Sequence, residues 1–275
     1  MGTIMAGLMP HPPIIIPEIG GDRAEEAENT INSMKEISRE IVEMAPDILI
    51  TISPHGPVFK DGISVLDKPE LSGNFANFGH PEVGFSVESD LNFIEKLERN
   101  VSENSYELVR LSQSNRKNSA VSNNLDHGVL VPLYYLKEAG LEVPIVALTM
   151  GLLDYNKLYE FGFILQQVLN QAGYDGVVLA SGDLSHRLKP GAPAGYNPKG
   201  EEFDKKLVKL LKDKNFKEIM NMDSGLIKKA GECGLRPVII MLGSVKDLNV
   251  STDVKSYEGP FGVGYSVAGI YREEA

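Results

Sequence analysis

A chain of 275 residues with 42% hydrophobic content is long enough for one large α/β domain, and a formal net charge of −11 leaves no basic footprint for nucleic acid or an anionic membrane surface. No segment approaches the unbroken apolar length of a membrane span, and no Gly/Ser-rich or Pro-rich linker or internal repeat divides residues 1–275, which read as a single domain. The one cysteine, Cys233, excludes an internal disulfide and fits a reducing, cytoplasmic compartment.

The first apolar run, Gly2 to Met9, has no basic stretch ahead of it and leads into a Pro-rich turn, so it reads as a strand and not as a signal peptide. Ala24, Ala27, Ile31, Met34, Ile37, Ile41 and Met44 then recur every three or four residues and form one apolar helical stripe. Pro46 stops that helix, and the β-branched run from Asp47 to Ser53 follows as a strand, which makes residues 2–53 a strand-helix-strand unit. Residues 56–88, rich in Gly, Pro, Asn and Phe, read as an excursion that covers a site. Pro144 to Met150 and Gly176 to Ala180 are apolar enough to be buried strands, with a helix over Tyr155 to Gln171 between them. Helices near Glu201 to Lys212 and Pro237 to Val245 and a final Gly-rich strand complete the pattern. The expected fold class is α/β, a mostly parallel central sheet with helices on both faces.

Three of the five histidines share a setting. His11 follows the first strand in MPHPP, His55 follows the second in SPHGP, and His186 follows a later strand in SGDLSH. Ligands of open parallel sheets bind outside the carboxyl ends of the strands, where these imidazoles would converge, and the flanking prolines stiffen the backbone that presents His11 and His55. Asp183, three residues before His186, either orients an imidazole or closes an Asx turn. His127, in LDHGVLVPL, either belongs to a helix cap or to the site, and His80 carries no assigned role. Two imidazoles need a third ligand, and the Gly-flanked turn GECGLRP offers both Glu232 and Cys233. No nucleophile elbow, P-loop or dinucleotide fingerprint is present.

On these strings the chain resembles the class III extradiol ring-cleavage dioxygenases of the LigB type. It is most similar to the Memo-like proteins of the AmmeMemoRadiSam system, through MPHPPIIIPE and ECGLRP. The resemblance implies a metal, Fe(II) first with zinc or another divalent ion as alternatives, held by His11, His55 and a carboxylate. Glu232 completes that dioxygenase triad and is the expected ligand; the Memo-like string C-G-x-x-P aligns Cys233 instead. His186 is implied as the acid/base, with His127 as a second polar contact. The implied substrates are a phenolic small molecule and dioxygen. The alternative is a metal-binding protein that works with a radical SAM enzyme and an AMMECR1-like partner without cleaving rings. The resemblance also implies a homo-oligomer, a dimer or larger.

Overall fold

The computed structural model describes residues 1–104, 106–112 and 124–273. Ten strands lie in these residues: β1 (Gly2–Met9), β2 (Ile48–Ser53), β3 (Gly62–Leu66), β4 (Glu70–Phe75), β5 (His80–Glu88), β6 (Glu107–Leu111), β7 (Ile145–Thr149), β8 (Asp175–Ser181), β9 (Val250–Glu258) and β10 (Tyr265–Arg272). The helices are α1 (Pro17–Gly20), α2 (Glu28–Glu43), α3 (Leu91–Glu103), α4 (His127–Glu138), α5 (Tyr155–Ala172), α6 (Lys199–Lys212), α7 (Phe216–Met220), α8 (Ser224–Ala230) and α9 (Leu235–Gly243).

Eight strands form one sheet in the order β6-β3-β7-β2-β8-β1-β10-β9, and β4 pairs with β5 in a separate hairpin. Its centre is parallel: β7 with β2, β2 with β8, and β8 with β1. The sheet as a whole is mixed, because β3 runs antiparallel to β7, and β10 runs antiparallel to both β1 and β9. The two strand-helix-strand units expected from the sequence both form, but they interleave. β8 inserts between β1 and β2, and β2 inserts between β7 and β8.

Side chains alternate across the central strands and feed two cores, as burial on both faces requires. Ala6, Leu8, Ile50, Ile52, Val178 and Ala180 face the layer that includes Phe93 of α3, Leu165 of α5 and Val238 of α9. Met5, Met9, Leu49, Val177 and Leu179 face Met34 and Ile37 of α2 and Leu130 of α4. The apolar stripe read from the sequence supplies the buried side of α2. The excursion after β2 contains more order than expected. Its GISVL segment is β3, part of the main sheet, and the remainder is the β4–β5 hairpin.

Helix α5 crosses α9 through a pair of glycines. A Cβ at Gly162 would lie 1.9 Å from the Ile240 carbonyl oxygen and 2.8 Å from Gly243 Cα, and one at Gly243 would lie 2.0 Å from the Tyr159 carbonyl oxygen. Alanine has the better helix propensity, worth up to about 1 kcal/mol. The obstructing atoms are backbone, however, and cannot swing aside. Gly162→Ala is therefore expected to destabilise the fold by about 1–3 kcal/mol, the usual cost of overpacking a filled core. Chemical denaturation checks this, and an unchanged midpoint would show that the two helices can separate freely.

Candidate metal centre

Strands β2, β8 and β1 are consecutive parallel neighbours, so the residues that follow them meet at one edge of the sheet. His11 leaves β1, His55 leaves β2, and Asp183 and His186 leave β8. The two imidazoles that follow β1 and β2 approach closely, with Nε2 of His11 2.9 Å from Nε2 of His55. Cys233, in the turn between α8 and α9, brings Sγ to 3.6 Å from His11 Nε2. Metal-capable atoms of His11, His55 and Cys233 all lie within 4.8 Å of one another.

These spacings fit a shared ion. Imidazole nitrogen binds such metals at about 2.0–2.1 Å and thiolate sulfur at about 2.3 Å, which holds neighbouring ligand atoms roughly 3.0–3.6 Å apart. The donor set, two imidazoles and one thiol able to ionise, also has the chemistry of a divalent metal centre.

Glu232, the expected third ligand, does not belong to this group. Its Oε2 accepts the Leu235 backbone N–H at 2.6 Å, so the carboxylate satisfies an otherwise unpaired donor in the first turn of α9. The neighbouring Cys233 points the other way, toward His11. Burial raises the Glu232 carboxyl above its ordinary value, and Arg236 and backbone N–H groups oppose that shift.

The turn that carries Cys233 is fixed by a backbone contact with the end of β8. A Cβ at Gly182 would sit 2.3 Å from Gly234 Cα, so only glycine permits the approach. The Asp183 carbonyl then accepts N–H bonds from Cys233 at 3.4 Å and from Gly234 at 3.0 Å. The Asp183 side chain accepts the backbone N–H of His11 at 2.9 Å. It thus holds the His11 loop by its main chain and does not accept a ring N–H of His186.

His127 opens α4 directly after Asp126, whose carboxylate caps the helix by accepting the Gly128 N–H at 2.8 Å. The helix cap is thus Asp126, and the His127 ring lies beside the other two imidazoles. Its centroid lies 4.1 Å from that of His55 and 5.4 Å from that of His11. His186 is half-buried and close enough for its charge to bear on His11 and His55, and its buried Nδ1 has no hydrogen-bond partner among the described residues. His80 lies on β5, with Nδ1 3.0 Å from Glu82 on the same strand, apart from the other four.

The hairpin closes the site on one side, as the excursion was expected to do. Asn74, Ala76, Asn77 and Phe78 face His55, His127 and the segment 124–126 across a pocket of about 400 Å³. The Phe78 ring makes an edge contact with His127 at 5.3 Å between centroids.

Electrostatics keep the imidazoles neutral. Burial lowers His11 well below its ordinary value, and the other three histidines add to the effect. Burial also lowers His55, against the opposing pull of Asp126, and takes His127 to about 4. The Cys233 thiol moves the other way: burial, with Asp183 nearby, raises it well above its ordinary value. Asp183, fully enclosed, is raised to about 7 by burial.

Two partners of the histidines were not anticipated. Ser181 Oγ lies 2.8 Å from His11 Nδ1, and Ser53 Oγ accepts the His55 backbone N–H at 3.1 Å while donating to Asp126 Oδ1 at 2.6 Å. The available signal was positional, since β2 (ILITIS) and β8 (DGVVLAS) are apolar strands that each end on serine.

A Clostridium acetobutylicum protein known by its locus designation is 37% identical over 268 residues, which is 94% of this chain and 56% of that protein. The chain therefore spans little more than half the length of that relative. The Escherichia coli 3,4-dihydroxyphenylacetate 2,3-dioxygenase is 26% identical over 270 residues, covering 88% of this chain and 90% of the enzyme. A crystal structure of an uncharacterised Escherichia coli protein superposes with a TM-score of 0.62 at 14% identity, over 98% of this chain and 99% of that one, a likeness of fold. A family model described as the catalytic LigB subunit of aromatic ring-opening dioxygenase matches residues 5–268, and the chain belongs to that family.

Proposed function

We propose that this chain is a divalent-metal-dependent enzyme of extradiol dioxygenase type, acting on a catecholic or related small phenolic molecule, with iron(II) as the first candidate ion. One observation carries the reading: His11, His55 and Cys233 converge within 4.8 Å at the carboxyl ends of parallel strands, beside a pocket walled by His127 and Phe78. Family membership supports the same chemistry. Two neutral imidazoles and one thiolate deliver the same charge to an ion as two imidazoles and one carboxylate. The ion, when bound, supplies a Lewis-acidic, redox-active centre at which catecholate and dioxygen are brought together. Around it, His186 and His127 handle substrate protons: both are kept neutral, and a neutral imidazole can accept a proton from a phenolic hydroxyl. Phe78 and His127 offer ring surfaces to a planar substrate.

A second reading rests on two specific observations. A thiol stands where the dioxygenase triad has a carboxylate, and the Clostridium relative extends far beyond the matched region. Both favour a Memo-like metal-binding protein that acts with a radical SAM enzyme and an AMMECR1-like partner. Oxygen uptake and ring-cleavage absorbance with iron-loaded protein and a panel of catechols separate the two readings. Turnover supports the first, and metal binding without turnover supports the second.

The ligand assignment has a sharp consequence. His11→Ala, His55→Ala and Cys233→Ser are each expected to lose stoichiometric metal, while Glu232→Ala keeps it and loses about 0.5–2 kcal/mol of stability through the missing helix cap. Elemental analysis beside thermal melts checks this; metal lost from the Glu232 variant and kept by the Cys233 variant would reverse the assignment.

Metal uptake should also depend on pH. The thiol is protonated in the metal-free protein at neutral pH, whereas both ligand imidazoles are already neutral, so binding displaces one proton, from Cys233. Affinity is expected to rise about tenfold per pH unit between about pH 6.5 and 8.5. Competition titrations with a chelator measure the slope, and a flat profile would mean that the thiolate is formed before the metal arrives.

His186→Ala is expected to retain the metal and to lower turnover by about 10²–10⁴-fold, the usual contribution of a general acid/base. Loss of metal from this variant would make His186 a ligand, and unchanged turnover would make it structural.

A further inference from the structure

The hydrogen bonds of Ser181 restrict how the His11 ring can be protonated. Ser181 is the last residue of β8 and is 1% exposed, and the His11 ring beside it is equally enclosed. The serine hydroxyl donates to the Gly128 carbonyl in the first turn of α4. A carbonyl can only accept, so the single hydroxyl proton is committed to that bond. His11 Nδ1 lies 2.8 Å from the same oxygen, which has only lone pairs left to offer. The contact is satisfied only when His11 carries its proton on Nδ1. A neutral imidazole has one N–H, so Nε2 is then a bare lone pair, which can accept from His55 Nε2 at 2.9 Å and faces Cys233 at 3.6 Å and the Asp183 carboxylate at 3.9 Å.

We propose that Ser181 is a positioning residue that locks His11 in the Nδ1–H tautomer and so presents Nε2 as a ready metal ligand. The arrangement also ties two parts of the site together. The carbonyl that commits the serine proton belongs to the residue after His127, so the helix carrying His127 sets the tautomer of His11 through one hydroxyl. A displacement of the α4 N-terminus would free the Ser181 proton, allow it to donate to Nδ1, and move the His11 proton onto Nε2, where it would block the ligand position.

The tautomer itself can be read in the metal-free protein by long-range proton–nitrogen correlation spectra with labelled histidine, independently of whether the metal-centre reading holds. The expected result is Nδ1–H for His11 in the wild type and a mixed or Nε2–H form in Ser181→Ala. The affinity arm rests on the metal-centre reading and uses cobalt(II) alone as the probe. Ser181→Ala is expected to weaken cobalt binding about 10–100-fold, the usual effect of removing a ligand's hydrogen-bond partner. A wild-type spectrum with His11 protonated on Nε2 would overturn the proposal without any variant. A Ser181→Ala spectrum that keeps the Nδ1–H form, or cobalt affinity within about twofold of wild type despite a tautomer change, would remove the positioning role. Absence of cobalt binding by the wild type, with the Nδ1–H tautomer present, would overturn the metal-centre reading and leave the tautomer lock supported.

Discussion

Asp183 joins the two segments on which the metal centre depends. Its carboxylate receives the His11 main-chain N–H at the end of β1, and its carbonyl receives those of Cys233 and Gly234 at the start of α9. These segments are far apart in sequence, and Asp183 bonds to both. The bond to His11 is buried, and a carboxyl group in that setting is expensive to leave unpaired, which makes the connection hard to break. The Gly182–Gly234 contact allows it: with a side chain at either position the α9 loop would ride outward and Cys233 would lose its approach to His11. Deep in the core, the Gly162–Gly243 crossing holds the other end of α9 against α5.

Charge within the site is compatible with a candidate cation centre. The packed imidazoles of His11, His55 and His127, with His186 within electrostatic reach of the first two, would repel one another if protonated, and burial pushes each of the four toward the neutral form. The acidic groups nearby are also held partly or wholly protonated, Asp183 by enclosure and the Cys233 thiol by burial beside it. The metal-free centre is thus close to electrically neutral at its middle, which is a cheaper state to fold than one with an uncompensated charge. A divalent ion inverts that logic, since its own charge favours the thiolate and removes the reason for the proton to stay. Folding and metal binding therefore ask for different protonation states of the same sulfur.

Much of this was legible in the sequence, for identifiable reasons. His11 and His55 could be placed because apolar strands with Pro-flanked histidines at their ends imply convergence in a parallel sheet, and the sheet edge does gather them. The buried face of α2 followed from its period. Which of Glu232 and Cys233 turns toward His11 was not legible, because both sit in one Gly-flanked turn and only its trajectory decides which side chain faces inward. The sequence also could not tell that β8 inserts between β1 and β2, since interleaving is a long-range pairing that no local pattern encodes. Strand β3 was hidden by its brevity and by the glycines and prolines around it. Ser53 and Ser181 carry no local signal, since strand-end serines are common, and their contacts form only when α4 docks its first turn against them.

The placement of the hairpin shows how such a scaffold can vary its pocket wall without disturbing the candidate metal ligands. The imidazoles are carried by the central sheet, whose strands are buried on both faces and cannot shift without disrupting two cores. The opposite wall of the pocket is carried by β4 and β5, which among the described residues pair only with each other. That hairpin is anchored to the segment leading into α4, where the Leu125 N–H donates to the Ser72 carbonyl at 2.9 Å and a Cβ at Gly73 would lie 2.5 Å from the Leu125 carbonyl oxygen. Asn74, Asn77 and Phe78 can be exchanged at this tip with little cost to the core, because all three are exposed. A change in how the hairpin seats is different in kind. It bears on Leu125, then on Asp126 and His127, and through the Gly128 carbonyl on Ser181 and His11. The pocket wall at the tip is therefore separable from the candidate metal centre, whereas the hairpin's docking is not.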